Sequence, residues 1–210
     1  MANLLYVTCN VRPRERSLSL ALGYEFLDEY LRGNPDDEVQ VLDLYRDGIQ
    51  RVDQDVLNAL DRIEHGKDAI LLFSEEERRK MSRLWRLADQ FRRCDKYVFV
   101  THSLNLWFPA EFKIYIDAIC IPDRTYRLTP GGAEGLLSDR QRKALHLHSG
   151  PPFKLGREQD QSIAYLRSLL RFLGVAHHET VLLEDDEPER VAEGDHEKAR
   201  HRLLELARRF

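Results

Sequence analysis

The sequence predicts an α/β protein built on a parallel five-stranded sheet with helices on both faces. Short apolar runs alternate with amphipathic stretches about five times along the 210 residues. That alternation marks strands covered on both sides by the helices that connect them. The chain also opens on an apolar run (residues 4–8), a polar arginine-bearing loop (10–16) and an amphipathic stretch from Leu18, the way a doubly wound sheet begins. One domain over residues 1–210 is the simplest organisation at this length.

Residues 4–7 are apolar and run into Thr8, as in a strand without a solvent face. Ser17 suits the N-cap of a helix over 18–31, which Gly33-Asn34-Pro35 ends. Residues 39–44 form the second strand, and Val56, Leu57, Leu60 and Ile63 give 52–63 helical spacing. Residues 68–73 fit either a short strand or a buried helical turn. The spacing predicts a helix over 74–91: Ser74 and Glu77 make a capping box, glutamates fill the first turn, and Met81, Leu84, Leu87, Ala88 and Phe91 share one stripe. Residues 97–101 are the third strand, and Pro109 opens a helix running to about Ile119. Turn signals crowd residues 122–139 and predict an excursion with a short extended arm at 125–128. A strand over 143–148, a helix over 159–173 stopped by Gly174, a strand over 181–183 and a helix over 187–210 complete the chain.

The net charge of −4, with basic residues scattered through the helices, argues against a nucleic-acid footprint. No apolar run reaches membrane-spanning length, and the N-terminus lacks the regions of a signal peptide. Cys9, Cys94 and Cys120 are far apart, without metal or redox spacing, which suits reduced thiols in a cytoplasmic protein. His146 and His148 share one strand face, but no zinc motif accompanies them, so core or surface roles suit them better. A GxSxG elbow is missing, and the first strand ends in Thr8-Cys9-Asn10 without the acidic residues of a phosphate-receiver domain.

A buried strand, a loop and a hydroxyl-capped helix start make an anion cradle. The free N–H groups of the first helical turn point at the loop mouth, and the helix dipole favours negative charge there. Arg12, Arg14 and Arg16 lie nearby. Ser17 and Ser19 also suit capping alone, and each arginine also suits a solvated loop. In combination they point to a phosphorylated small molecule. With strand order 2-1-3-4-5, ligands sit beyond the carboxyl ends of the strands, where the order reverses. The loops meeting there are 10–17, 102–108 and 149–153.

These segments resemble the FMN-dependent NADH-azoreductases, flavodoxin-like quinone and azo-compound reductases of bacteria. The resemblance spans nearly the whole chain. It is carried by Ser17-Leu18-Ser19-Leu20, by residues 38–45 (EVQVLDLY) and 95–101 (DKYVFVT), by Asn105 with Phe108-Pro109, and by 113–117 (KIYID) and 126–137. It implies a flavodoxin-like three-layer fold, non-covalent FMN, NADH or NADPH as electron donor, and ping-pong transfer to a quinone or azo acceptor. A homodimer with active sites at its interface is implied as well. Position by position, Asn10, Ser17 and Ser19, with Arg12 beside them, match the phosphate loop. Ser103, Leu104, Asn105 and Leu106 match the loop along the ribityl chain and isoalloxazine, with Trp107 next to it. Ser149 and Gly150 begin the second ring loop. Asn105 could serve donor and acceptor positions of the flavin pyrimidine edge or close its own Asx turn. Trp107 and Phe108 suit packing or a subunit interface better than ring stacking. No catalytic side chain and no metal ligand are implied.

The chain departs from the family at the ring end. The family loop after the third strand reads proline, an apolar residue, an aromatic, asparagine, phenylalanine; here it is His102-Ser103-Leu104-Asn105-Leu106. Gly150-Pro151-Pro152 stands where the family has an arginine and two glycines. Proline supplies no N–H and fixes φ, so ring contacts needing an N–H there are lost. These departures leave open a ligand-binding module without reductase activity.

Overall fold

The computed structural model describes residues 1–150, 160–187 and 193–210. The strands are β1 (Asn3–Cys9), β2 (Glu38–Asp43), β3 (Lys96–His102), the short β4 (Tyr126–Thr129) and β5 (Gly132–Gly135), β6 (Lys143–Ser149) and β7 (His177–Leu183). The helices are α1 (Leu18–Gly33), α2 (Gln54–His65), α3 (Glu75–Arg93), α4 (Ala110–Ile119), α5 (Ser162–Leu173) and α6 (Glu193–Arg209). Five strands form a parallel sheet in the order β2-β1-β3-β6-β7, and β4 pairs antiparallel with β5 outside it. Counted along the sheet's own strands, this is the expected order 2-1-3-4-5.

The pleat divides the core. Leu4 and Tyr6 of β1, with Val98 and Val100 of β3, pack under α1 and α6. Their neighbours Leu5, Val7, Cys9, Tyr97 and Phe99 face α3, α4 and α5 on the other side. A smaller apolar cluster, centred on Val56, Phe73, Met81 and Leu84, joins α2, α3 and α4. Gly23 lets α1 close on the sheet: a Cβ there would stand 2.3 Å from the Tyr6 hydroxyl and 3.0 Å from Val100 Cγ2. Gly174 ends α5 with φ 108° and donates its N–H back into the last turn, as the sequence predicts.

Local chemistry places the helix ends. The Ser74–Glu77 capping box forms at the start of α3. At its other end, the Tyr97 hydroxyl donates to the carbonyls of Phe91 (2.9 Å) and Cys94 (3.1 Å). The fully buried Arg142 reaches the carbonyls of Cys94 (3.1 Å), Arg92 (2.9 Å) and Leu137 (2.5 Å).

Three expectations are corrected. The ambiguous run is a 3-10 turn over Lys67–Leu72, in which Ile70, Leu71 and Leu72 face outward, while Phe73 after it enters the core. So short an apolar run has no period that separates strand from turn or core from surface. The extended arm is one side of a two-stranded hairpin, while Thr125 stays buried, its hydroxyl donating to the Ile119 carbonyl at 2.6 Å. β7 begins four residues before the apolar run because it is an edge strand whose outer half is polar. α5 starts at Ser162 and α6 at Glu193; the earlier starts expected at 159 and across 188–192 lie outside the described residues.

Candidate cofactor site

The site lies where β1 sends its helix to one face of the sheet and β3 sends α4 to the other. Hydrogen bonds tie the carboxyl ends of four strands into one rim. His102 Nδ1–H donates to the Cys9 carbonyl at 3.1 Å, Ser103 N–H to the Ser149 carbonyl at 2.7 Å, and Gly150 N–H to the Leu183 carbonyl at 3.1 Å. Burial holds the His102 imidazole below its ordinary pKa, so the ring is neutral at pH 7. A carbonyl can only accept, which assigns the proton to Nδ1.

At the β1–α1 corner the structure brings together Asn10, Arg12, Ser17 and Ser19, four residues the sequence singles out. It adds one the sequence reading did not: Asp186, past the end of β7. The buried Asp186 carboxylate accepts from Ser19 N–H (2.9 Å), Ser17 Oγ–H (3.1 Å) and Asn10 Nδ2–H (2.7 Å). Ser17 Oγ also accepts from Asn10 Nδ2–H (3.0 Å) and from Leu20 N–H (3.2 Å), and it lies 3.1 Å from Ser19 Oγ. Ser17 is therefore an N-cap whose hydroxyl also bonds the Asp186 carboxylate. Arg12 turns to the same acidic loop, bonding Glu187 at 2.8 Å with Asp186 at 4.0 Å. The signal for Asp186 was the acidic run at residues 184–187, placed by topology at the rim.

At the other end, Leu104 and Trp107 exchange backbone hydrogen bonds of 2.7 and 3.0 Å around a two-residue turn. Its central residues, Asn105 and Leu106, have φ of 50° and 70°. The exposed Asn105 amide makes no Asx bond among the described residues, leaving it available to a ligand. Leu104, Leu106 and Trp107 are exposed, while Phe108 is buried against Phe112. Ser103 Oγ is buried without a hydrogen-bond partner, and Ser149 and Gly150 are buried beside it. The expected contribution of Pro151 and Pro152 lies outside the described residues.

The histidines form a buried layer beneath this rim. Thr101 Oγ1 contacts His146 Nε2 and His148 Nδ1, each at 2.8 Å, and His148 Nε2 faces Asp160 at 3.4 Å. Burial works against the Asp160 carboxylate, but hydrogen bonds from His148 and Ser162 pull it down to about 2. Among the described residues no group of three or more metal-ligating side chains converges.

The flavodoxin-like fold family matches residues 2–206. The FMN-dependent NADH:quinone oxidoreductase of Geotalea uraniireducens is 52% identical over 184 residues, 88% of this chain and 87% of that protein. This chain is a member of the FMN-dependent NADH:quinone oxidoreductase family. The family member of Trichlorobacter lovleyi is 48% identical over 195 residues, 92% of each chain. Among solved family folds, the azoreductase of Bacillus anthracis has a TM-score of 0.87 at 29% identity, and azoreductase AzrA 0.86 at 30%, both over the full length of both chains.

The residues at hand fit the family's cofactor. One hydroxyl, one backbone N–H and one carboxamide aimed at one carboxylate are a donor set for an anion, and they sit at a helix start where the dipole adds to them. The unpartnered Ser103 hydroxyl and the free Asn105 amide await polar atoms at the other end.

Proposed function

We propose that this protein is a cytoplasmic, homodimeric FMN-dependent oxidoreductase, one domain over residues 1–210, that uses NADH or NADPH to reduce quinones or azo compounds. The observation that carries the reading is the cluster of donors around the Asp186 carboxylate, on a chain 52% identical to a protein of that name. Asn10, Ser17 and Ser19 hold the phosphate of the cofactor at the start of α1. Ser103, Ser149 and Gly150 line the strand ends that support its ring, and the Asn105 amide offers a donor and an acceptor to the pyrimidine edge. FMN held there would supply two-electron hydride-transfer chemistry between the nicotinamide and the acceptor. The chain's task is then to position and shield, which is why no side-chain acid or base is needed.

A second copy of the chain is the natural cover for Leu104, Leu106 and Trp107, whose grouped exposure is unusual for a monomer. Three unpaired cysteines suit a reducing compartment, and no helix among the described residues is long and apolar enough to cross a membrane. The decisive measurement is the absorption spectrum of the purified protein, followed by FMN titration and NADH oxidation with a benzoquinone acceptor. Yellow protein that turns over NADH is expected; colourless protein that excess FMN cannot reconstitute overturns the reading. Replacing Ser17 and Ser19 together with alanine should weaken FMN binding about tenfold or more, since hydrogen bonds to a charged phosphate are the strong kind. Unchanged affinity would remove both from the cradle.

A further inference from the structure

An N-terminal helical turn leaves four N–H groups without intrahelical partners, and in α1 the chain itself satisfies all four. Leu18 N–H donates to the Asp186 carbonyl (3.0 Å) and Ser19 N–H to the Asp186 carboxylate (2.9 Å). Leu20 N–H goes to Ser17 Oγ (3.2 Å), and the N-cap Ser17 N–H itself goes to the Arg14 carbonyl (3.2 Å). One residue from the far edge of the sheet thus occupies the cradle with both its carbonyl and its carboxylate. We propose that Asp186 is a resident anion that the phosphate of FMN must displace, and that it thereby sets how strongly the protein prefers FMN over riboflavin. The inference rests on the flavin reading above.

Competition follows from shared donors. Ser17 Oγ–H, Ser19 N–H and Asn10 Nδ2–H, the groups a phosphate needs, are engaged by the two Asp186 oxygens. A phosphate placed beside an unmoved carboxylate would meet like charge at hydrogen-bond range in a corner largely closed to solvent. Arg12 does not relieve this, because Glu187 already engages it. Riboflavin ends in a neutral hydroxyl, which can donate to the carboxylate where it stands. Asp186 therefore penalises the phosphorylated flavin and spares the other.

The test compares wild-type apoprotein with Asp186→Asn and Asp186→Ala, titrated with FMN and with riboflavin by flavin fluorescence. Thermal unfolding is followed with and without inorganic phosphate. Asp186→Asn keeps a neutral acceptor of the same shape and guards against a folding defect in the alanine variant. Both variants should bind FMN about tenfold or more tightly than wild type, with riboflavin affinity unchanged or weaker. Inorganic phosphate should raise the melting temperature of the variants more than that of wild type. FMN affinity that is unchanged or weaker in both variants would overturn the proposal. Should none of the three proteins bind either flavin, the flavin reading fails while the phosphate arm still decides: a variant-specific rise supports Asp186 as occupant, and equal shifts refute it.

Discussion

Leu106 holds a backbone conformation that its side chain disfavours. With Asn105 it forms the centre of a two-residue turn in which both φ angles are positive, and such turns favour Asn-Gly. Asparagine tolerates the left-handed region, whereas a leucine there costs about 1 kcal/mol or more. The turn persists because Leu104 and Trp107 close it with two backbone hydrogen bonds and Trp107 packs edge-on against Tyr165, ring centroids 5.3 Å apart. Leu106→Gly should therefore stabilise the apoprotein by about 0.5–1 kcal/mol, the strain relieved outweighing the entropy glycine adds to the unfolded chain. A urea midpoint that falls instead would show the conformation to be cheap. Asn105 was legible as the one residue of its loop that keeps the family pattern; the strain at Leu106 was not, because leucine does not advertise a positive φ. Asp186 escaped for another reason. A search for phosphate chemistry looks for donors, and the carboxylate that satisfies them arrives from a strand end far away in the chain.

Elements whose ends carry their own chemistry were the legible ones. The capping box at Ser74, the Ser17 cap and the Gly174 stop all stand where local residue types put them. The hairpin of β4 and β5 and the polar first half of β7 were hidden, since edge pairing needs no apolar run. The C-terminal end of α3 is the clearest case of an end that only tertiary structure can finish. Its last carbonyls receive no N–H from the helix, and the buried Arg142 serves those of Arg92 and Cys94 together with that of Leu137. Arg142→Leu would strip the Arg92 and Leu137 carbonyls of the guanidinium and leave Cys94 only the Tyr97 hydroxyl, and a loss of about 3 kcal/mol or more is expected in urea unfolding. Arg142→Lys should recover little, because an ammonium cannot span carbonyls that a planar guanidinium reaches together. A lysine variant as stable as wild type would reduce Arg142 to a buried charge of no special geometry.

Across the whole molecule, the buried histidines set how stability depends on pH. Burial, reinforced by His148 and His178, keeps His146 well below the usual imidazole range, and burial with Arg167 nearby brings His178 down to about 4. His102 is lowered too, again chiefly by burial. A histidine whose folded pKa is depressed binds fewer protons in the native state than in the unfolded one near pH 6. Its contribution is therefore whole above about pH 6.5 and declines as pH falls toward the folded pKa. The slope is at most about 1.4 kcal/mol per pH unit for His146, and less for the partly exposed His178 and His102. Carboxylates act later. Burial opposes the charge on Asp37, but Tyr30, the Ala2 N–H and Lys96 pull it down to about 2, as His148 and Ser162 do for Asp160. Their stabilisation is present above about pH 4 and is lost only as pH drops toward 2. Urea midpoints should accordingly fall between pH 7 and pH 5, well before the carboxylates titrate. His146→Val should flatten that fall even though it costs stability at pH 7, since the variant carries no ring to protonate at that position and frees Thr101 from one partner. Identical slopes for wild type and variant would mean that the buried histidine layer under the site does not govern the acid limb, and that the molecule weakens elsewhere first.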